Sequence, residues 1–321
     1  MTVSIVVPLY NEEESLLELF DRLEEVMKPL GGDYEYIFVD DGSVDKSLLV
    51  LRELHERSER VNVISFRRNY GKSAALAVAF REAKGEYVVT IDADLQDDPG
   101  EIPMLLQRIH EGADLVSGWK RNRQDPITKT LPSRLFNGVT SLMSGLKLHD
   151  FNCGLKAYRK EVVKTISVYG ELHRFIPVLA GWEGFRVEEI KVQHYKRKYG
   201  HSKYGSKRFL NGFFDLVTVM FVTRRALNPL HFFGRISVIL FTLGIIPSMI
   251  FLIQWISGEP MRVRPIMLGG FVLIIVALQV GSIGLLAEMI SARTAREPNY
   301  AYREYLVRHS EASSGESPTR V

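Results

Sequence analysis

Cysteine is almost absent from this chain of 321 residues, since Cys153 is the single example. One cysteine cannot form an internal disulfide, which excludes a disulfide-stapled secreted scaffold and is typical of a reducing compartment. A strong charge imbalance is also missing, because 41 basic and 38 acidic residues leave a net charge of +3. Without basic residues clustered on one face, so small an excess predicts no nucleic-acid partner.

Long apolar runs are missing from roughly the first 230 residues and then occur twice. The N-terminal segment MTVSIVVPLYNEEE has no basic region before its short apolar run, which predicts a strand and not a signal peptide. Residues 236–256 and 266–287 then contain 21 and 22 residues without a charge. Each run is long enough to cross about 30 Å of hydrocarbon, so together they predict a transmembrane hairpin. The alternative, two buried core helices, would need two such uncharged runs in succession.

Basic residues around the two spans predict their orientation. Those before the first span and after the second outnumber Arg262 and Arg264 in the loop between them. The flanking set consists of Arg224, Arg225, His231, Arg235, Arg293 and Arg296. The positive-inside rule therefore predicts an integral protein of the cytoplasmic (inner) membrane, with the large domain and both termini in the cytoplasm.

The regions around the spans have their own composition. Residues 207–233 are apolar with scattered basic side chains and predict amphipathic helices at the membrane surface. Residues 234–290 form the predicted membrane region. Residues 291–321 are predicted to be a cytoplasmic tail, partly disordered because it ends in a segment rich in Ser and Glu.

Strand-like and helix-like patterns alternate over the first 120 residues. Runs rich in Val and Ile predict strands at residues 4–9, 36–39, 61–66, 87–91 and 115–117. Helical periodicity predicts helices at residues 14–27, 46–57, 73–83 and 101–110. This alternation is typical of an α/β domain with a mainly parallel sheet. Ligands of such sheets bind beyond the carboxyl ends of the strands, so the polar residues there are candidate site residues.

The motif IDADLQDDP at residues 91–99 is the strongest chemical signal. It places Asp92 and Asp94 directly after an apolar strand. Carboxylate oxygens of this kind suit Mg²⁺ or Mn²⁺, which can bridge to a diphosphate. An acidic turn without function is the alternative for an isolated Asp-x-Asp pair.

Two further motifs follow strands in the same way. DDGSVD at residues 40–45 presents Asp40 and Asp41, whose carboxylates can accept hydrogen bonds from a base or a ribose. An ordinary helix N-cap at Ser43 or Asp45 is the alternative. VVPLYNEEE at residues 6–14 ends the first strand in a polar turn, or simply begins a capped helix.

In this order and at these spacings, the three motifs resemble the family 2 glycosyltransferases, which have the GT-A nucleotide-sugar fold (Rossmann-like). The resemblance covers roughly residues 3–205 and implies a catalytic domain over residues 1–206. It places Asp92 near the ribose or sugar and assigns the metal to Asp94 and Gln96. The residues that it places around the nucleotide are Pro8, Tyr10, Asn11, Glu12, Asp40, Asp41 and Ser43.

The glutamine of DADLQ resembles a narrower branch, which makes polyprenyl-phosphate sugars and includes dolichyl-phosphate mannose synthase and the bactoprenol glucosyltransferases. The two C-terminal spans match the bactoprenol type. RRNYGKSAAL resembles the segment beside the nucleotide and implicates Lys72. This GKS is no P-loop, because Phe66 stands where that motif needs glycine. YKRKYGHSKYG resembles the basic segment near the donor diphosphate and implicates Arg197 and Lys203.

The acceptor side is assigned by two more segments. GWKRNRQDP and SRLFN offer guanidinium groups that match phosphate oxygens, or else form a solvated basic loop. The candidates for the lipid phosphate are Arg121, Arg123, Ser133 and Arg134. HDFNCGLKAYRKEV contains Asp150, a possible general base. Since a phosphate monoester is already anionic, we interpret Asp150 as a positioning residue. The candidate catalytic set is Asp92, Asp94, Arg121, Arg123 and Asp150.

The resemblance implies a metal-dependent, inverting transfer of a hexose from a nucleotide-sugar to undecaprenyl or dolichyl phosphate. The product would be a polyprenyl-phosphate sugar donor for cell-envelope or glycan assembly. UDP-glucose is the favoured donor and GDP-mannose the next, with Mg²⁺ or Mn²⁺ as cofactor. The resemblance also suggests a homo-oligomer, a tetramer. The alternative is a catalytically silent, membrane-anchored protein that binds a nucleotide-sugar or assembles a partner complex.

Overall fold

The computed structural model describes residues 2–120, 137–142, 144–170, 172–196, 198–199, 229–258, 265–293 and 302–306. These residues belong to two compact units. The first contains residues 2–199 together with 302–306, and the second contains residues 229–293, each with the gaps just given.

A mixed sheet forms the first unit. Its strands are β1 (Thr2–Leu9), β2 (Asp33–Asp40), β3 (Val61–Phe66), β4 (Tyr87–Thr90), β5 (Leu115–Trp119), β6 (Lys156–Arg159), β7 (Val187–Lys191) and β8 (Tyr302–Leu306). Their order across the sheet is β7-β5-β6-β4-β1-β2-β3-β8. Pairing is parallel except around β6 and β8, which run antiparallel to their neighbours.

Helices separate most of these strands in the chain. They are α1 (Leu16–Leu30), α2 (Ser47–Arg57), α3 (Lys72–Glu82), α4 (Ile102–His110), α5 (Lys160–Thr165) and α6 (Ile176–Trp182). Single 3-10 turns lie at Pro99–Glu101 and Leu172–Phe175. The central strands are buried along almost their whole length, because helices cover both faces of a parallel sheet.

The predicted α/β architecture is confirmed, and the first five strands and four helices lie close to their predicted positions. β7 overlaps a strand-like run of the sequence, EEIKVQHYKR at residues 188–197, whereas β6 and β8 were not predicted. β6 is only four residues long and lies between β4 and β5, so the sheet order departs from the chain order. β8 pairs with the outer side of β3, within the region predicted as a tail.

Two long helices form the second unit, α7 (Pro229–Ile256) and α8 (Pro265–Arg293). Both are long and apolar enough to cross a membrane. α7 begins before the uncharged run and so includes His231 and Arg235. The two helices pack closely where small residues face each other: Ser237 Oγ donates to the carbonyl of Ala277 at 2.8 Å. The predicted surface helices before residue 229 lie outside the described residues.

Candidate active site

The carboxyl ends of β1, β2, β3 and β4 meet at one edge of the sheet, because these four neighbours are parallel. Each is followed by one of the polar segments singled out in the sequence. The edge therefore brings together the predicted nucleotide residues of the first two strands with Lys72 after β3 and Asp92, Asp94 and Gln96 after β4.

Hydrogen bonds join the turn after β1 to the turn after β2. Asn11 adopts a left-handed backbone conformation with φ of 52°, which redirects the chain as it leaves β1. Its backbone N–H donates to Ser43 Oγ at 2.8 Å, and its side-chain oxygen accepts from the N–H of Val44 at 2.8 Å. The N–H of Glu12 donates to Ser47 Oγ at 2.9 Å. These bonds hold two predicted nucleotide-binding turns as one surface.

Asp40 is buried and stabilises the turn after β2 through hydrogen bonds. It is 1% exposed, and its two carboxylate oxygens accept hydrogen bonds from Ser43 N at 2.9 Å and Ser65 Oγ at 2.8 Å. Pro8 is buried in β1 in the same way. For both residues the geometry favours a role in shaping the site over direct contact with a nucleotide.

Asp41 ties β2 to the segment that follows β3. Its two oxygens accept from the backbone N–H groups of Tyr70 at 2.7 Å and Gly71 at 2.9 Å. Burial raises the pKa of Asp41 to about 6, although these two hydrogen bonds favour the ionised form. Gly42 has φ of 72°, and a Cβ there would lie 2.5 Å from the backbone carbon of Arg68. Only glycine allows this close approach of the two segments.

Asp92 is held by a lysine from the next segment along the edge. Lys72 is the first residue of α3, and its ammonium group forms a short ion pair with Asp92 Oδ1. Burial by itself would raise the pKa of Asp92, but Lys72 and Lys120 outweigh it and lower the pKa to about 2. Behind Asp92 lies Gly154, where a Cβ would be 2.5 Å from the carboxylate carbon. Asp92 is therefore ionised and confined on two sides.

The segment after β4 alternates between buried and accessible side chains. Asp92, Asp94 and Gln96 are half-buried, whereas Leu95 between them is 3% exposed and has φ of 58°. A left-handed conformation is costly for such a residue and is typical of functional sites.

Asp94 and Gln96 offer oxygen ligands for a divalent cation, but too few to hold it alone. The side-chain amide of Gln96 donates to the carbonyl of Tyr195 at 3.3 Å, which leaves its Oε1 as the atom able to bind a cation. Asp94 Oδ1 accepts from the N–H of Gln96 at 3.2 Å. Among the described residues, no cluster of three or more acidic, His or Cys side chains could hold a metal alone. Two protein oxygens completed by substrate phosphates are typical of Mg²⁺ sites in nucleotide enzymes.

Asp150 lies in the loop before β6 and is 1% exposed. Its Oδ1 accepts from the N–H of Asn152 at 3.1 Å. Cys153, in the same loop, is buried, and burial raises the pKa of its thiol to about 12. The thiol is therefore protonated at neutral pH.

Three basic residues of the site were not predicted. Lys120 pairs with the buried Asp97 at 2.6 Å, and Lys156 lies 4% exposed on β6. His173 shares two hydrogen bonds with Ser73, at 2.9 and 3.0 Å. Both lysines stand within motifs that the sequence had singled out. Nothing in the sequence around a lysine shows whether its side chain is buried. Only the fold therefore distinguishes Lys120 and Lys156 from surface lysines.

The other predicted site residues lie outside the described part of the chain. They are Arg121, Arg123, Ser133, Arg134, Arg197 and Lys203. Their assignments to the lipid phosphate and the donor diphosphate stay predictions.

Solved structures of nucleotide-sugar enzymes share this fold. Glucosyl-3-phosphoglycerate synthase of Mycobacterium tuberculosis in complex with phosphoglyceric acid is 20% identical, with a TM-score of 0.52 over 68% of this chain and 79% of that chain. The same protein with Mn²⁺, UDP-glucose and phosphoglyceric acid gives 20% identity and a TM-score of 0.51, covering 67% and 79%. The first unit thus has the GT-A fold of glycosyltransferases, which confirms the predicted fold.

Sequence comparison defines the family. The family model for "Glycosyl transferase family 2" matches residues 4–167. A dodecaprenyl-phosphate galacturonate synthase of Rhizobium johnstonii is 36% identical over 324 residues, covering 97% of this chain and 95% of the relative. An undecaprenyl-phosphate 4-deoxy-4-formamido-L-arabinose transferase of Edwardsiella ictaluri is 40% identical over 239 residues, covering 74% and 73%. The chain belongs to glycosyltransferase family 2, and its resemblance to the polyprenyl-phosphate branch is confirmed.

Proposed function

We propose that this protein transfers a sugar from a nucleoside diphosphate sugar to a polyprenyl phosphate, with inversion at the anomeric carbon. The observation that carries the proposal is the group formed by Asp92, Asp94 and Gln96 at the carboxyl end of β4, with Asp92 held ionised by Lys72. Relatives named for transfer to dodecaprenyl and undecaprenyl phosphate support the lipid acceptor. The two long apolar helices support a membrane location for that reaction.

The donor would bind across the carboxyl edge of the sheet. The interlocked turns of Asn11 and Ser43, with Asp41 beside them, present polar groups for the base and ribose. Asp92 would accept hydrogen bonds from the ribose or the sugar, and its position is fixed by Lys72 and Gly154. Catalysis then consists mainly of positioning and charge stabilisation, because no covalent intermediate is needed.

The metal ligands would be Asp94 and Gln96. Bound there, Mg²⁺ or Mn²⁺ would neutralise the charge that develops on the departing nucleoside diphosphate. The acceptor phosphate is anionic at neutral pH and attacks without a general base, which leaves Asp150 to position groups on the acceptor side. UDP-glucose stays the donor predicted from the sequence, while the names of the relatives add galacturonate and formamido-arabinose to the sugars to be tested.

A donor panel tests this proposal. The full chain, purified in detergent, is incubated with undecaprenyl phosphate, Mg²⁺ or Mn²⁺, and radiolabelled UDP- and GDP-sugars. The variant Asp94→Ala is measured beside it, with the exposed Glu59→Ala as the matched loss of an acidic side chain elsewhere. We expect labelled lipid from at least one donor, abolished by EDTA and reduced about 100-fold or more in Asp94→Ala, the range found when a charge-stabilising group is removed.

Two results would contradict the proposal. One is an absence of labelled lipid with every donor from protein that still binds a nucleotide, which would favour the silent binding role. The other is full activity of Asp94→Ala, which would remove the metal assignment.

A further inference from the structure

The segment that follows β7 crosses the carboxyl edge of the sheet to reach the motif after β4. The N–H of Val192 donates to the carbonyl of Trp119, the last residue of β5, at 3.1 Å. Two residues later, His194 forms an antiparallel bridge with Asp97. β5 and β6 lie between β7 and β4 in the sheet, so this contact is made across the ends of two strands. The segment therefore lies beside the motif that carries the proposed metal ligands.

Tyr195 and Gln96 exchange two hydrogen bonds. The N–H of Tyr195 donates to the backbone carbonyl of Gln96 at 2.9 Å, and the side-chain amide of Gln96 donates to the backbone carbonyl of Tyr195 at 3.3 Å. The two ends of a glutamine amide are nearly the same in shape but opposite in chemistry, and a carbonyl can only accept. The carbonyl of Tyr195 therefore selects the amide nitrogen of Gln96 and leaves Oε1 for a cation.

The side chain of Tyr195 is tied to the same motif. Its hydroxyl donates to Asp98 Oδ2 at 3.1 Å. Asp98 Oδ1 in turn accepts from the N–H of Gly100 at 2.9 Å, in the 3-10 turn before α4. Since Tyr195 is 45% exposed, packing holds this residue only in part, and its hydroxyl adds a second attachment to the motif.

These attachments matter because the hydrogen bond that orients Gln96 is weak by itself. A bond of 3.3 Å within reach of water contributes little unless its acceptor is already held in place. The bridge at His194 and the hydroxyl of Tyr195 hold the acceptor carbonyl in place. Groups that orient a metal ligand in this way change the affinity for the metal although they do not touch the ion.

We infer that Tyr195 is a positioning residue for the metal site, which orients Gln96 through its backbone carbonyl and is itself fixed to Asp98 through its hydroxyl. The inference rests on the proposed function, which assigns the metal to Asp94 and Gln96. Tyr195 also precedes Arg197, which the sequence predicts at the donor diphosphate. One segment would then serve both the metal and the diphosphate whose charge the metal neutralises.

Binding of Mn²⁺ tests this inference independently of turnover. The full chain in detergent is titrated with Mn²⁺ by calorimetry in the presence of UDP and, separately, of GDP, because phosphates complete the proposed site. Binding of each nucleotide in EDTA is measured beside it. The variant Tyr195→Phe removes the hydroxyl that reaches Asp98 and keeps the ring. The control is Tyr169→Phe, in the loop after α5, because the side chain of Tyr169 is similarly exposed, at 40%.

We expect Tyr195→Phe to bind Mn²⁺ about 3-fold to 10-fold more weakly than the wild type, the effect of losing one hydrogen bond. Its affinity for the nucleotide in EDTA should be unchanged, because the hydroxyl acts on the metal ligand and not on the nucleotide. Tyr169→Phe should bind both Mn²⁺ and nucleotide as the wild type does.

A second variant, Gln96→Glu, tests the role of the Tyr195 carbonyl. A carboxylate adds a negative charge that favours Mn²⁺, but it has no N–H to donate to this carbonyl. We therefore expect Gln96→Glu to bind Mn²⁺ no more tightly than the wild type. This measurement decides the matter even if Tyr195→Phe fails to fold.

Two outcomes would overturn the inference while the proposed function stands. One is a Mn²⁺ affinity of Tyr195→Phe that equals that of the wild type, or that falls only together with its affinity for nucleotide in EDTA. The other is tighter binding of Mn²⁺ by Gln96→Glu, since the side chain would then not need the Tyr195 carbonyl. A wild type that binds nucleotide but no Mn²⁺, in contrast, would contradict the metal assignment of the proposed function itself, and the inference with it.

Discussion

At the scale of single residues, the position of Asp92 depends on a glycine that is distant in sequence. Gly154 lies directly behind the carboxylate, and an added Cβ would come within 2.5 Å of its carbon. We expect Gly154→Ala to displace Asp92 from Lys72 and to lower kcat/KM about 100-fold, a loss of about 3 kcal/mol of transition-state stabilisation. Steady-state kinetics with the preferred donor measure this change.

The control for this substitution is Gly138→Ala. Gly138 lies in a helical segment, and a Cβ there meets nothing within 4 Å. Alanine stabilises a helix by up to about 1 kcal/mol relative to glycine, so this variant should be as stable as wild type or more so, with unchanged kinetics. Wild-type activity of Gly154→Ala would show that the reaction does not need Asp92 where the structure has it.

At the scale of elements, the connection from β3 to α3 depends on the ionised carboxylate of Asp41. Its two hydrogen bonds from Tyr70 and Gly71 immediately precede Lys72, so they also position the lysine that holds Asp92. Since the pKa of Asp41 is raised to about 6, protonation begins near that pH and removes an acceptor for one N–H group. We expect kcat/KM to fall as the pH is lowered from 8 to 5, with an inflection near 6.

The protonation of Asp41 also changes the free energy of unfolding with pH. The direction of that change distinguishes the loss of kcat/KM at low pH from a loss caused by unfolding. A raised pKa in the folded state means that Asp41 favours folding most below its ordinary pKa of 3.8, and that this contribution is lost as the pH rises through about 6. Asp41 therefore does not destabilise the fold in the range where activity falls. Asp41→Asn should have low activity without this inflection, and an unchanged inflection in the variant would assign it to another group.

At the scale of the whole molecule, local sequence patterns predicted which residues form strands and helices, but not which strands pair with each other. The periodicity of apolar residues can be read from a short stretch of sequence. For this reason β1 to β5 and the helices between them were predicted. The insertion of β6 between β4 and β5 depends on long-range pairing, which no local pattern carries. For the same reason the carboxylates after the strands were predicted, whereas the burial of Lys156 and the contact of Gly154 with Asp92 were not.

The orientation of the chain in a membrane is also a property of the whole molecule, and a single buried thiol makes it testable. Burial raises the pKa of Cys153 to about 12, so this thiol should not react with a maleimide near neutral pH. Cysteines introduced as Ser257→Cys, after α7, and Glu59→Cys, in an exposed turn of the first unit, then report their own side of the membrane.

The positive-inside rule predicts that a membrane-impermeant maleimide labels Ser257→Cys in intact spheroplasts and labels Glu59→Cys only after lysis. That pattern would place the active site on the side where nucleotide-sugars are made. Labelling of both positions in intact spheroplasts would instead contradict a spanning hairpin, because residues 59 and 257 would then share one side without a barrier between them. The reverse pattern would leave the hairpin in place and put the first unit outside the cytoplasm, away from the donors that its site is proposed to use.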